Sequence, residues 1–352
     1  MTQLTEEKLH AALHNLPQEA ALAPEDILSL SLTGNKVTLI LQSGAGASVM
    51  ETQKKQIEKA LKALDGVESV SVLFTAHQKA AARPAPQGLQ KISLPQIKHI
   101  LVVASGKGGV GKSTTSVNLA VALGKMGFKT GLLDADIYGP SIPRMLGLSG
   151  KPDIDSDKKM IPPHRDGLSV MSMGFLVPED APMVWRGPMV HAAILQLFRD
   201  VAWGALDFLI VDLPPGTGDA QLTLAQSIPL SGAVIVSTPQ DIALLDARKA
   251  IAMFGKVGVP LLGLIENMSF FLCPHCGQQS DIFSHGGAEA EATRLQVPFL
   301  GSLPLDIRLR EASDEGDPLG WHDPSHPIAQ AYQRLAEKLA ARIDAQTIPP
   351  KI

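Results

Sequence analysis

The sequence is poor in cysteine, in aromatic residues and in long apolar runs. Its 352 residues include 2 cysteines, and aromatic residues make up 4%. Two cysteines cannot build a disulfide framework, which favours a reducing compartment. No apolar run reaches the roughly 18 residues that span a bilayer, and no basic segment followed by an apolar one opens the chain. These absences argue against a secreted or membrane-spanning protein and predict a cytoplasmic one.

An excess of charge of one sign is also lacking. The chain has 31 Lys and Arg against 35 Asp and Glu, a net charge of −4. This balance gives no broad attraction to nucleic acid or to an anionic membrane, so neither is expected as a partner. The 45% of hydrophobic residues suffices for a large core. The length predicts two domains, or one large domain with an appendage.

The first 77 residues predict a small α+β domain, and residues 78–96, which begin with an Ala- and Pro-rich stretch, predict a linker. Within the small domain, helical spacing and strand-like alternation follow one another: helical residues 6–16, strand residues 27–32 and 36–41, helical residues 51–64 and strand residues 67–74. Gly34-Asn35, between the first two strands, is typical of a hairpin turn.

From residue 97 onward, short apolar runs alternate with helical stretches. The predicted strands are residues 99–104, 130–134, 208–212, 233–237, 261–265 and 299–303. The predicted helices are residues 113–126, 190–201, 243–257 and 327–343. Continuous apolar strands that alternate with helices are typical of a parallel sheet covered on both faces. The fold class predicted for residues 97–352 is therefore α/β, a doubly wound and mostly parallel sheet.

A glycine-rich loop follows the first strand of this sheet and opens a helix. It matches G-x-x-x-x-G-K-[ST] with Gly106, Lys107, Gly108, Gly109, Val110, Gly111, Lys112 and Ser113. Glycines let backbone N–H groups converge on phosphate oxygens, and the helix directs its N-terminal partial charge at the same anion. Lys112 would neutralise phosphate charge and the Ser113 hydroxyl would bind Mg²⁺. With Thr114, this segment predicts a P-loop NTPase domain and its nucleotide site.

Lys107 is a second lysine within the loop, where phosphate binding by one subunit does not need it. Its position resembles the deviant Walker A class, with Gly-Lys-Gly-Gly-x-Gly-Lys-Ser/Thr. In that class the extra lysine reaches across a dimer interface to the partner's nucleotide. The resemblance implies a homodimer and a catalytic role for Lys107, and the alternative is a solvated surface lysine.

Carboxylates at strand ends complete the predicted nucleotide site. Asp212 ends an apolar strand and is expected to hold Mg²⁺ through water. Gly216, in the loop after it, could sense the γ-phosphate with its backbone. Of the two acids after the next strand, Asp136 lies past the strand end and is expected to orient or deprotonate the attacking water. Asp134 is expected to support the Mg²⁺ shell, and capping of the strand end is the alternative for both.

Base recognition is expected at the carboxyl ends of later strands. Asn267 ends one of them, with an amide that can donate to and accept from a purine edge. No Asn-Lys-x-Asp element of the guanine-reading kind is present. Adenine, and so ATP, is therefore favoured over guanine; a plain turn residue is the alternative for Asn267.

The two cysteines, Cys273 and Cys276, form a C-x-x-C pair just beyond a strand end. Thiolates at this spacing can ligate one metal centre, but zinc and iron–sulfur sites normally take four ligands. Three arrangements are open: two chains pool their pairs around one centre, His275 or His285 completes a zinc site within one chain, or the pair is a redox pair without metal. A pair that binds no metal is a further possibility.

Taken together, the motifs resemble the Mrp (ApbC-like) branch of deviant Walker A ATPases. They are residues 106–113, 134–141, 185–189, 212–219, 266–269 and 273–276. The resemblance covers about residues 97–345. It implies a homodimeric ATPase that carries a [4Fe–4S] cluster, bridged between Cys273 and Cys276 of two subunits, from upstream scaffold proteins to recipient apoproteins.

The small first domain looks like the iron–sulfur assembly factor domain that often precedes this ATPase. That domain often has a cysteine in a Gly-Cys-Pro turn, and residues 44–48 here contain none. Docking or regulation is therefore expected of it, rather than a second thiol function.

Two rival functions use related folds. A positioning or partitioning ATPase shares the P-loop and the extra lysine, and the cysteines would then form a structural zinc knuckle. Such proteins usually carry a membrane helix or a basic surface, whereas residues 332–352 have mixed charge. An electron-transfer reductase like nitrogenase iron protein has cluster cysteines far apart in sequence, unlike the close pair here.

Overall fold

The computed structural model describes residues 9, 12–13, 16–17, 27–33, 35–42, 47–75, 91–176 and 187–347. The chain divides into two compact units, Met1–Gly88 and Leu89–Ile352. Several features predicted from sequence lie wholly or mostly outside the described residues: the helix over 6–16, Gly34 of the hairpin turn, residues 44–46, the linker up to residue 90 and Trp185-Arg186.

The first unit has a three-stranded sheet and a helix. Its elements are β1 (Ile27–Thr33), β2 (Lys36–Gln42), α1 (Ala47–Lys62) and β3 (Ser69–Thr75). β1 and β2 are antiparallel, while β2 and β3 are parallel because α1 connects them. Ile57 and Leu61, one helical turn apart on α1, are fully buried in a core with alternate β2 residues such as Leu39. The expected strand–strand–helix–strand order is confirmed over these elements.

The second unit contains the larger sheet. Its strands are β4 (Ile97–Ala104), β5 (Thr130–Asp134), β6 (His164–Arg165), β7 (Leu168–Ser172), β8 (Leu206–Asp212), β9 (Gly232–Ser237), β10 (Leu261–Glu266), β11 (Phe271–Leu272), β12 (Gln279–Ser280) and β13 (Phe299–Ser302). Its helices are α2 (Lys112–Lys125), α3 (Ile142–Met145), α4 (Gly187–Arg199), α5 (Asp219–Ser227), α6 (Asp241–Lys256), α7 (Gly287–Leu295), α8 (Ile307–Glu315), α9 (Leu319–His322) and α10 (Pro327–Thr347).

Eight of these strands form one sheet in the order β13-β10-β9-β4-β8-β5-β7-β6, parallel throughout except for β6. Every residue of β5, β7 and β9 is buried. Since successive side chains of a strand point to opposite faces, burial of all of them requires cover on both faces. The predicted doubly wound α/β fold is confirmed.

The order of the strands places a functional site at the end of β4. The chain continues from β4 towards β8 and β5 on one side and later returns to β9 on the other. Open α/β sheets bind ligands outside the carboxyl ends of the strands at such a reversal. The glycine-rich loop follows β4 and therefore lies at this point.

Two features of the second unit were not predicted from sequence. The sheet extends past β5 to β7 and β6, which are short segments on either side of the turn at Asp166-Gly167. Ile92 and Leu94, within the expected linker, are buried in the core of this unit. Among the described residues, no helix is both long and apolar enough to cross a membrane.

Candidate functional site

The glycine-rich loop joins the end of β4 to Lys112, the first residue of α2. Gly109 and Gly111 have φ values of 79° and 80°, a left-handed conformation that glycine adopts without strain. At Gly106, a Cβ atom would lie 2.2 Å from the backbone carbonyl carbon of Asp246 in α6. The loop therefore needs glycine at Gly106 because the backbone of α6 approaches it closely.

A buried polar network lies beneath the loop around Asp212, at the end of β8. Lys112 Nζ lies 2.6 Å from Asp212 Oδ2, and Ser113 Oγ donates to the same oxygen at 2.6 Å. Ser116 Oγ donates to Asp212 Oδ1, also at 2.6 Å. Lys112 is 5% exposed and Asp212 is 0% exposed. A hydroxyl, a carboxylate and an ammonium group thus meet where the sequence predicted the Mg²⁺ and phosphate ligands, and hard oxygen donors of this kind suit Mg²⁺.

Asp134 supports the turn after β5 and does not line the cleft above the glycine-rich loop, the nucleotide cleft described below. Its Oδ1 accepts from the backbone N–H of Asp136 at 3.1 Å, while Oδ2 accepts from Ile142 N–H and Ser172 Oγ. Burial, and then the nearby Asp212, raise the pKa of Asp134 to about 7. Asp134 would thus support the Mg²⁺ shell only indirectly, because its Oδ1 holds the backbone of Asp136 in place.

Asp136 faces the cleft above the glycine-rich loop and also an adjoining cleft. Burial raises the pKa of its carboxyl; Lys112 acts in the opposite direction and Asp212 adds to the increase. A carboxylate with a raised pKa at the edge of a phosphate site has the chemistry of a general base. The structure therefore places Asp136 where a water-activating role is feasible.

The nucleotide cleft has a volume of about 570 Å³. The predicted residues that line it are Gly108, Gly109, Gly111, Lys112, Ser113, Thr114, Asp136 and Asn267. The opposite wall was not predicted: it includes Leu305, Asp306, Leu309 and Arg310, from the start of α8 and the loop before it. This segment directly follows β13, so the rule that ligands bind beyond strand ends could have identified it.

Asn267, at the end of β10, lies in the cleft but is joined to the glycine-rich loop. Its Nδ2 donates to the carbonyl oxygen of Val110 at 2.9 Å. A Cβ on Gly111 would lie 2.2 Å from the same nitrogen. The amide nitrogen is therefore occupied by the loop, and a role of Asn267 in reading the purine edge stays a prediction.

The adjoining cleft, of about 550 Å³, lies over the loop after β8. It is lined by Asp136, Tyr138 and Gly216 among others. The Gly216 N–H donates to the carbonyl oxygen of Ser105, the residue before the glycine-rich loop, at 3.0 Å, so it is not free here. Tyr138 is 67% exposed.

Lys107 is half-buried and does not line the nucleotide cleft of its own chain. Its carbonyl oxygen accepts from Ser105 Oγ at 2.9 Å, and its ammonium group has no ion pair among the described residues. Because Lys107 does not line the cleft of its own chain, its role at the nucleotide of a neighbouring subunit stays a prediction.

The cysteines lie in a short hairpin made by β11 and β12. The Cys273 N–H donates to Gln278 O at 3.0 Å, and the Gly277 N–H donates to Cys273 O at 2.8 Å. Hydrogen bonds from the backbone N–H groups of His275 and Cys276, and then from the Cys276 side chain, lower the pKa of Cys273. Cys276 is exposed. The lowered pKa favours the thiolate of Cys273, which is the form that binds metals.

No group of three or more His, Cys, Asp or Glu residues within the described ranges could hold a metal ion. His285 Nδ1 instead lies 2.6 Å from Ser269 Oγ. The alternative of a zinc site that His275 or His285 completes within one chain is therefore not supported. A redox pair normally opens a helix, whereas this pair lies in a hairpin. The pooling of two cysteine pairs from two chains stays a prediction.

Comparison with known proteins agrees with this geometry. The family of NUBPL iron-transfer P-loop NTPases matches residues 96–340. An iron–sulfur protein required for NADH dehydrogenase in mitochondria of Arabidopsis thaliana is 54% identical over 250 residues, 71% of this chain and 80% of that protein. An iron–sulfur cluster carrier protein of Pseudomonas fragi is 49% identical over 286 residues, 80% of this chain and 97% of the relative.

A solved structure is similar as well. The nucleotide-binding protein of Archaeoglobus fulgidus in complex with ADP is 40% identical, with a TM-score of 0.58, and the match covers 66% of this chain and 93% of that one. Residues 96–340, which match the family model, include both the glycine-rich loop and the cysteine hairpin. The chain therefore belongs to the family of NUBPL iron-transfer P-loop NTPases.

Proposed function

We propose that this protein is an ATP-hydrolysing carrier that binds a [4Fe–4S] cluster between two subunits and transfers it to apoproteins. The observation that carries the proposal is that one unit contains both a phosphate loop with a buried Lys112–Asp212 pair and a cysteine pair that has no further metal ligands grouped with it among the described residues. Two cysteines satisfy half of a four-ligand centre, and a second copy of the chain supplies the other half. The names of the relatives and the family model support this function.

ATP would bind with its phosphates in the loop from Gly106 to Ser113 and its base towards the wall of α8. Ser113 and Asp212 would hold Mg²⁺, directly and through water, and the metal would neutralise charge on the β- and γ-phosphates. Lys112, which contacts Asp212 at 2.6 Å in this structure, would then bind the phosphates. Such positioned charges are the main source of catalysis in phosphoryl transfer.

Asp136 would accept a proton from the attacking water, or orient it, at the junction of the two clefts. Asp134 would keep the Asp136 backbone in place through its Oδ1. Lys107 of the neighbouring subunit would approach through the adjoining cleft and stabilise charge on the γ-phosphate. The role of Lys107 requires the dimer, which would also bring the two cysteine pairs together.

The cluster is cargo, so its site must both bind and release it. Cys273 and Cys276 would ligate it as thiolates, and the backbone N–H groups beside Cys273 favour that ionised form. Because Cys276 is exposed, a recipient's thiols could reach the cluster and displace the ligands one by one. Recipient apoproteins, upstream scaffold proteins and a cytoplasmic location are part of this proposal.

Reconstitution of the protein with iron and sulfide tests the proposal. We expect about four irons and four sulfides per dimer after anaerobic loading of the full chain, measured by metal and sulfide analysis with ultraviolet–visible spectra. Cys273→Ala should lose them, because one ligand of each pair is gone. Ser280→Ala, an exposed change in the same hairpin, is the matched control and should load normally.

Tight zinc without sulfide would refute the carrier function. The cysteine hairpin would then be structural, as expected of a positioning or partitioning ATPase. Unchanged iron content in both Cys273→Ala and Cys276→Ala would place the cluster elsewhere in the chain and would also refute the proposed site.

A further inference from the structure

The cysteine hairpin belongs to an excursion of the chain, residues 267–286, that leaves the sheet after β10 and returns at α7. Glu266, the last residue of β10, is 0% exposed. Its Oε1 accepts from Ser269 Oγ at 2.5 Å and from Gly286 N–H at 2.8 Å, and its Oε2 accepts from Ala288 N–H at 2.6 Å. One buried carboxylate thus joins the two ends of the excursion. We call this junction, formed by Glu266 with Ser269, Gly286 and Ala288, the neck.

The neck is also joined to the nucleotide cleft. Asn267 directly follows Glu266 and donates to the glycine-rich loop at Val110 O. Met268 comes next, lines the cleft, and has a φ of 54°, in the left-handed region that non-glycine residues rarely adopt. Strained backbone of this kind persists only where its surroundings hold it. The strained residue lies between the two contacts that hold it, one to the nucleotide loop and one to Glu266.

A second connection runs from the opposite wall of the cleft. Leu305 lines the cleft, and its N–H donates to the carbonyl oxygen of Phe270 at 2.7 Å. Phe271, the first residue of the hairpin, also forms a parallel bridge with Leu305. The base of the cysteine hairpin therefore rests on a residue that a bound nucleotide would touch.

We propose that Glu266 is a positioning residue that transmits nucleotide occupancy to the cysteine pair. The proposal rests on the proposed function in taking Cys273 and Cys276 as the cluster ligands. A nucleotide that displaces Met268 and Leu305 moves the two sides of the hairpin base. Because Glu266 holds both ends of the excursion on a rigid strand, the hairpin responds as one unit and the movement is not absorbed at the neck.

The chemistry of the neck requires a carboxylate. The three hydrogen-bond partners of Glu266 are donors, one hydroxyl and two backbone N–H groups, and the ring nitrogen Nδ1 of His285 lies 3.8 Å from its Oε1. A glutamine offers a single acceptor oxygen, and its amide N–H₂ would face a donor, so part of the neck would open. The carboxylate also lies at the N-terminus of α7, where a negative charge is favoured. Glu266→Gln therefore keeps the volume and removes the closure.

The test measures how a nucleotide changes the alkylation rate of Cys273 and Cys276 in the full-length, cluster-free protein. In the wild type, saturating Mg²⁺·ATP should change the iodoacetamide rate at least about threefold, because the hairpin moves. In Glu266→Gln the ratio should fall to about one, while the affinity for ATP stays within about threefold of wild type. Glu289→Gln, an equal charge change in the first turn of α7, is the matched control and should keep the wild-type ratio.

A wild-type ratio in folded Glu266→Gln would overturn the proposal, as would a wild-type protein whose alkylation ignores ATP. Ser269→Ala, which removes one of the three donors, should give an intermediate ratio. If Glu266→Gln does not fold, an unchanged ratio in Ser269→Ala would overturn the proposal by itself. The readout needs no cluster, so failure of cluster loading would count against the proposed function and leave this result unaffected.

Discussion

The glycine-rich loop and the cysteine hairpin belong to the same unit, and their construction is opposite. The loop is held by three buried contacts. Val110 is buried, Gly106 approaches the backbone of α6, and Lys112 and Asp212 form a buried pair. The hairpin has two strands of two residues each, and all residues from 274 to 282 are exposed.

This difference follows from what each site must do. Phosphoryl transfer depends on charges held in advance at fixed positions, and Lys112 and Asp212 are buried and paired within one chain. Under the proposed carrier function a cluster must leave again, which suits the exposed Cys276 and a pair that supplies two of four ligands. The Lys112–Asp212 network thus illustrates preorganised charge, and the hairpin illustrates the site that we propose a second chain completes.

The largest effect is expected from Lys112→Ala, which should separate the two sites. Without the ammonium group the γ-phosphate loses a fixed cation and Asp212 loses its ion-pair partner, so kcat for ATP should fall by about 10³-fold. Iron loading should be normal, because the hairpin has no part in this network. Steady-state hydrolysis and iron analysis check this, with the exposed Lys98→Ala as control. Loss of iron in folded Lys112→Ala would mean that cluster loading depends on this buried network.

Lys107→Ala tests whether the nucleotide site, too, needs a second chain. Hydrolysis should fall by about 100-fold, as for loss of one charge-stabilising donor. Mixing this variant with Lys112→Ala should restore about a quarter of wild-type activity, because random pairing makes half of the dimers mixed and each mixed dimer has one complete site. Mixtures no more active than the separate variants would show that Lys107 acts within its own chain.

The same substitution placed in each region should have unequal effects. In Gly106→Ala the new Cβ would lie 2.2 Å from backbone that cannot yield, so we expect a loss of at least about 3 kcal/mol of stability, and weaker ATP binding. Gly277→Ala, at φ 71° with nothing within 4 Å, should lose about 1 kcal/mol from left-handed strain alone. Urea unfolding of both variants measures the difference, and equal losses would contradict the comparison.

A further effect is expected in the pH dependence of the buried site. Folding raises the pKa of Asp134 from 3.8 to about 7, so its protonated form is favoured in the folded state. That contribution to stability is complete below about pH 4 and is lost as the pH rises through about 7. Asp134→Asn, which resembles the protonated acid, should therefore lose less stability than the wild type when the pH rises from about 5 to about 8.

Urea midpoints of the nucleotide-free protein measure this dependence. The exposed Asp153→Asn variant should follow the wild type at each pH. If Asp134→Asn also follows the wild type, then burial of Asp134 does not control this part of the pH dependence.

Much of the molecule could be inferred from residue order. The apolar runs predicted β4, β5, β8, β9, β10 and β13 within about two residues, because strands covered on both faces must be apolar throughout. The short β7 was missed because five residues bounded by Gly167 and a 3₁₀ turn give little periodicity. The wall formed by Leu305 and Arg310 was also missed, since these residues contact the site only through the return of the chain after β13.

The sequence by itself determined the phosphate loop, the strand-end carboxylates and the cysteine pair, because each of these is local: spacing along the chain is sufficient to bring the groups together. The tertiary structure alone decided which groups share a charge or a cleft. It showed that Asp134 holds a turn while Asp136 faces the cleft, that no histidine joins the cysteines within the described residues, and that Glu266 closes the hairpin's neck. Such contacts join residues from different strands, and only the packing of the whole sheet fixes those distances.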